Sequence, residues 1–155
     1  MTRLANDGLT AGGEGVDTIS GGNDNDSIMG DSGNDYLYGN DGNDTLFDGD
    51  GTDSVYGGNG DDTLTVTADA FYDNFYGEAG TDTLSFAGVT ENLNLSNMDY
   101  SATFSVGGAN NGYSNIERFI LGEGNDTFSV YYRIRDYEAL WVDGGAGDDY
   151  IVMNS

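Results

Sequence analysis

The sequence predicts an all-β chain wound as a stack of short parallel strands. Three observations carry this. A nine-residue pattern repeats six times without a gap between residues 12 and 65. Within each unit the closing positions alternate polar and aliphatic, the period of a strand with one face inward. The glycines recur at the opening positions, where a tight turn needs backbone freedom.

The units read GGEGVDTIS, GGNDNDSIM, GDSGNDYLY, GNDGNDTLF, DGDGTDSVY and GGNGDDTLT. The sixth position is always Asp: Asp17, Asp26, Asp35, Asp44, Asp53 and Asp62. Asp makes up only 22 of the 155 residues, so an unbroken column of it is far from chance. The eighth position is always aliphatic: Ile19, Ile28, Leu37, Leu46, Val55 and Leu64. The fourth is Gly15, Gly33, Gly42, Gly51 and Gly60, with Asp24 the exception. Glycines at positions one, two and four are expected to supply positive φ and close backbone approach. Each unit is then a turn plus a short strand, and two units make one 18-residue coil with strands on opposite walls. Successive coils stack at about 4.8 Å. Ninth-position side chains face outward, so Ser20, Tyr38, Tyr56 and Tyr76 form a ladder on one wall. Met29, Phe47, Thr65 and Ser85 line the other.

Beyond Thr65 the pattern weakens. With Val66 and Thr67 taken as an insertion, residues 68–76 form a seventh unit that keeps Asp73 and Phe75 but has Phe71 in place of the turn glycine. Residues 77–85 restore the form with Gly80, Asp82 and Leu84. Units return at 121–129, with Asp126, and at 144–152, with Asp149, and the segment 114–120 fits the frame with Phe119 at the eighth place. No frame holds over 86–113. The expectation is one domain over 1–155, with a regular array at 12–85 and an irregular β continuation at 86–155 that carries units at 114–129 and 144–152.

Composition narrows the chemistry. The 28 acidic residues face four Arg and no Lys, for a formal charge of −24. A surface this acidic repels phosphate backbones and anionic lipid and attracts cations, so neither nucleic acid nor a membrane surface is an expected partner. There is no His and no Cys. That excludes Ser-His-Asp and Cys-His catalysis, H-E-x-x-H zinc sites, disulfides and thiolate-bound zinc. Catalytic residues are therefore expected to be none. High net charge with 37% hydrophobic residues would ordinarily leave a chain disordered, unless something outside the chain neutralises it.

The unit resembles the glycine-rich nonapeptide of the RTX (repeats-in-toxin) family, G-G-x-G-x-D-x-U-x, nearly continuously over 12–85 and again at 114–129 and 144–152. The segment GVTENLNLS…YSNIERFILGEGNDTF is similar to the irregular stretches that follow such arrays. The resemblance implies a right-handed parallel β-roll with Ca²⁺ held in the turns. Carbonyl oxygens and a carboxylate, with no nitrogen or sulfur donor, suit Ca²⁺ better than Mg²⁺. Residues 18 apart share an edge, so Asp17, Asp35, Asp53 and Asp73 form one column and Asp26, Asp44, Asp62 and Asp82 the other. The family pattern places each ion between adjacent turns, up to three per edge. The implied ligands are Asp17, Asp26, Asp35, Asp44, Asp53, Asp62, Asp82, Asp126 and Asp149, with backbone oxygens at Gly15, Gly33, Gly42, Gly51, Gly60 and Gly80. Asp73 is set apart because Phe71 spoils its turn.

The functional expectation is a non-catalytic calcium-binding module of a secreted bacterial protein, extracellular or at the cell surface, that folds when it meets Ca²⁺. Residues 1–13 hold one Arg and no apolar run, unlike a Sec signal peptide. The family's type I export uses an uncleaved C-terminal signal, and DDYIVMNS at 148–155 suits either such a signal or the end of a strand. Two alternatives stand beside this: a structural, adhesive or filament-forming module, or an accessory domain of a larger RTX enzyme. Head-to-tail self-association or a flanking domain is expected, because neither residues 1–11 nor 153–155 make a polar cap over an open strand. The stretch VYYRIRDYEALWV at 130–142 reads as an irregular strand or cap packing its aromatics on the roll, with a binding surface as the alternative.

Overall fold

Alternate side chains of a strand point to opposite faces, and here the inward ones are the eighth residues. The computed structural model describes residues 2–4, 9–98, 101–131 and 140–154. Two sheets form opposite walls. One runs β1 (Thr2–Leu4), β3 (Thr18–Asn23), β5 (Tyr36–Asp41), β7 (Ser54–Asn59), β9 (Asn74–Ala79), β13 (Ala109–Ser114), β12 (Ser101–Val106), β11 (Asn94–Met98), β15 (Thr127–Tyr131) and β17 (Tyr150–Asn154). The other runs β16 (Trp141–Asp143), β14 (Arg118–Ile120), β10 (Thr83–Ser85), β8 (Thr63–Thr65), β6 (Thr45–Phe47), β4 (Ser27–Ser32) and β2 (Leu9–Glu14). No helix occurs among the described residues. The fold is the all-β parallel β-roll that the repeat predicts.

The register follows the 18-residue coil. Ile19 lies beside Leu37, Leu37 beside Val55, Ile28 beside Leu46 and Leu46 beside Leu64. These side chains are wholly buried and form one core with Phe75, Leu84, Phe119 and Phe128. The longer strands continue through the first three positions of the next unit, so the turn is confined to positions four to six.

Above the sixth unit the register lengthens by two, with Val55 beside Phe75 and Leu64 beside Leu84. The extra residues are not Val66 and Thr67. Val66 is buried in the core, and Gly51 N–H still reaches Asp69 Oδ2 18 residues on. The offset becomes 20 only at Asp53 and Asp73. The surplus is expelled between them, where Phe71 and Tyr72 are about half exposed. An apolar residue at the core is worth keeping in register, and a turn can bulge at little cost.

Two further features escaped the repeat frame. At the N-terminal end β1 pairs with β3 and β2 with β4, so a coil precedes the first recognisable unit, with Thr10 opposite Ile28. Residues 86–113 hold an antiparallel meander, β11–β12–β13, set into the otherwise parallel wall. Its β12–β13 turn is Gly107–Gly108 with φ of 59° and 87°, the left-handed pair that a two-residue hairpin demands. The tyrosine ladder is present: Tyr38, Tyr56 and Tyr76 stack with centroids 4.9 and 4.7 Å apart and planes within 9°. Most of the aromatic stretch at 130–142 lies outside the described residues, although its end forms β16. The acidic–apolar tail is a strand, β17, paired with β15.

The glycines divide by cause. Within the units, positive φ is confined to positions two and four, where Asp31, Asn40 and Glu78 also adopt it at position two and Asp24 at position four, with φ of 97°. Asp24 thus keeps the turn geometry. Position one is glycine for space: a Cβ on Gly57 would stand 2.5 Å from Asp62 Oδ2 and 2.8 Å from the Gly77 carbonyl. A Cβ on Gly13 meets nothing within 4 Å but carries a φ of 99°. Gly13→Ala is therefore expected to cost about 1–2 kcal/mol, the left-handed penalty alone. Gly57→Ala should cost more, because backbone and a buried carboxylate must both move. Urea denaturation of the two variants under one condition compares them directly; equal losses would contradict the steric account of position one.

Candidate metal centre

The sixth-position aspartates form two vertical columns, one at each edge of the roll. From the second recognisable coil upward, each carboxylate accepts, on Oδ1, the backbone N–H of the sixth residue one coil below. On the first edge Asp17 N–H donates to Asp35 at 2.8 Å, Asp35 to Asp53 at 2.7 Å and Asp53 to Asp73 at 2.9 Å. On the second, Asp26 donates to Asp44 and Asp44 to Asp62, both at 2.7 Å, and Asp62 to Asp82 at 2.9 Å. Fifth-position side chains reach the opposite way: Asn25 Oδ1 accepts Asn43 N–H and Asn43 Oδ1 accepts Asp61 N–H from the coil above. Neighbouring turns are thereby tied in both directions.

The column aspartates are nearly inaccessible to solvent, with Asp82 at 0% and Asp53, Asp62 and Asp73 at 1%. One oxygen of each is spoken for by the ladder. The other, Oδ2, has no hydrogen-bond partner in Asp35, Asp44, Asp53, Asp62, Asp73, Asp82 and Asp126. It faces the position-one glycine of its own unit, as Asp62 Oδ2 faces Gly57 and Asp26 Oδ2 faces Gly21. The predicted backbone donors stack along the same edges. The Gly15 carbonyl abuts Gly33 and that of Gly33 abuts Gly51; on the other edge Asp24, Gly42, Gly60 and Gly80 follow in line.

Burial pushes these carboxyls up. Asp53 and Asp82 rise to about 6, and Asp62 and Asp73 to about 7. The N–H from below pulls each back, and adjoining carboxylates raise it further. Asp35, Asp44 and Asp126 are raised for the same leading reason. A buried carboxylate with an open oxygen is costly unless a cation or a proton satisfies it. Two stacked columns of such oxygens, beside carbonyls and with no softer donor, fit a hard divalent cation. Among the described residues no three acidic side chains converge on one point, so each ion would take its shell from one or two carboxylates and the turn backbone.

The predicted residues do not all stand alike. Asp126 N–H donates to Asp149 Oδ1 at 3.0 Å, and Asp126 Oδ1 accepts Leu93 N–H at 2.8 Å, so these two form a short upper column. Asp149 is only half-buried. Asp73, set apart in the sequence because of Phe71, sits fully in the first column. Two members of the columns are not aspartates. Asn111 Oδ1 accepts Asp73 N–H at 2.8 Å, and Glu117 Oε2 accepts Asp82 N–H at 2.9 Å. The aromatic residues two places on, Tyr113 and Phe119, are the only sequence signal of their register.

A parallel roll with carboxylate and carbonyl columns along both edges defines a cation-binding solenoid. The family model for RTX calcium-binding nonapeptide repeats matches the chain in four copies, at residues 11–46, 29–64, 65–88 and 141–152. The chain belongs to that family and is a calcium-binding β-roll module. No curated protein matches it.

The raised carboxyls fix the sign of the pH dependence without metal. Their contribution to folding is fullest below the ordinary carboxyl value of about 3.9. It is lost as pH rises through about 6 to 7, where the folded groups give up their protons. Calcium-stripped protein should therefore show more β-structure by circular dichroism at pH 5.5 than at pH 8. The reverse order would refute this account of the columns.

Proposed function

We propose that this chain is a non-catalytic module of a secreted protein, one that stays unfolded at low calcium and winds into the roll outside the cell. Its work is to couple export, stability or assembly of its parent protein to the calcium encountered there. The observation that carries the reading is the pair of buried aspartate columns, in which Asp35, Asp44, Asp53, Asp62, Asp73 and Asp82 keep unpartnered Oδ2 atoms. The proposed ligands are the column aspartates with the position-four carbonyls. Each Ca²⁺ cancels two of the chain's 24 net negative charges, repulsion that otherwise favours the unfolded chain. Extracellular calcium modules bind at roughly 10⁻⁴ to 10⁻³ M, above cytosolic and below extracellular supply. The lack of His, Cys and Lys supports a role without catalysis. Secretion rests on the family resemblance.

A second reading, as an accessory unit docked to a neighbouring domain, is favoured by one observation. At the C-terminal end of the stack Trp141, Tyr150 and Ile151 are exposed, at 49%, 65% and 43%.

Circular dichroism in excess chelator tests the first reading. The β-sheet spectrum should collapse and return on adding millimolar Ca²⁺; an unchanged spectrum would sink the proposal. The columns also rank their members. Asp44 has an aspartate above and below, through Asp62 and Asp26, whereas Asp17 begins the recognisable array. Asp44→Ala should raise the calcium midpoint of folding more than Asp17→Ala, and equal shifts would argue against ions shared between stacked turns.

A further inference from the structure

One buried acid lies outside the columns. Among the first six units, position one is glycine in five and Asp48 in the fifth. Position one is where a side chain crowds the turn, as Gly57 shows. Yet Asp48 is wholly buried, at 0% exposure. Its Oδ1 accepts N–H groups from Gly49 at 2.7 Å and Thr67 at 2.8 Å. Its Oδ2 has no partner. Burial raises its carboxyl well above the ordinary range, hydrogen bonds from Thr67 and Gly49 oppose this, and the charge of Asp73 adds to it.

Asp73 belongs to the turn one coil above and also keeps an unpartnered Oδ2. That turn is the irregular one: Asp69 stands opposite Gly51 at position four, and the two surplus residues are expelled between Asp69 and Asp73. The extra acid thus stands one coil below a lengthened turn whose own buried carboxylate also has an open oxygen.

We propose that Asp48 Oδ2 and Asp73 Oδ2 together bind a Ca²⁺ ion between the third and fourth recognisable coils. The site differs from the repeat sites in taking one of its carboxylates from a position the repeat reserves for glycine. Backbone oxygens of the 65–73 turn or water complete its shell. The inference rests on the calcium-module reading, because the ion is the same.

The test counts calcium bound per full-length chain at saturation, by equilibrium dialysis with elemental analysis. Asp48→Asn should bind one ion fewer than wild type and raise the calcium midpoint of folding. Asp48→Gly, which restores the repeat residue and relieves crowding, should also bind one ion fewer. Asp50→Asn, exposed on the same turn, should keep the wild-type count. If Asp48 is instead a neutral buried acid, Asp48→Asn and Asp48→Gly will bind the wild-type number of ions, which overturns the site and leaves the calcium module standing. A wild-type chain that binds no calcium overturns both.

Discussion

The structure depends on carboxylates buried one above another. Every coil of the regular array places an aspartate at each edge, and from the second coil upward each aspartate spends one oxygen on the backbone of the coil beneath. That bond sets the vertical register as firmly as the strand pairing does. It also commits the second oxygen to a dry environment where charge cannot remain uncompensated. The columns need a cation or a proton to compensate them, and under the proposed function folding and calcium binding are one equilibrium.

Packing follows from that constraint. With turns pinned at the edges, each unit has room for one inward side chain per strand, and the eighth residue fills it. The core is two facing files of aliphatics low in the stack and turns aromatic higher up. There Phe75, Phe86, Phe104, Phe119 and Phe128 cluster with Tyr113 around the meander. The wider core coincides with the loss of strict repetition, because larger side chains fill the volume that an inserted strand opens.

The regular array was legible because its period is exact in sequence and each position has a separate physical duty. Legibility ended where a duty was met by another residue type. Asn111 and Glu117 occupy column positions without being aspartate, and Thr10 stands where an aliphatic residue was required. Asp73 looked compromised by Phe71, but the chain expelled two residues and kept the carboxylate in line. Of the two duties expected of position-one glycines, positive φ and close backbone approach, the structure keeps only the second, and it is the close approach that makes Asp48 anomalous. The meander had no period to find. Only its Gly107–Gly108 turn carried a local signal.

The meander changes how the chain can begin to order itself. Among the described strands, every parallel pairing joins segments that are not consecutive, so each contact closes a loop before it brings any reward. Within β11–β12–β13, consecutive strands pair directly, and β12 meets β13 across two glycines. Hairpins of this kind close on the order of microseconds, before distant segments must meet. This segment has the lowest entropic threshold in the sheet. Its outer strands offer the edges on which β9 and β15 align, so it joins the lower array to the upper coils and gives both a common template.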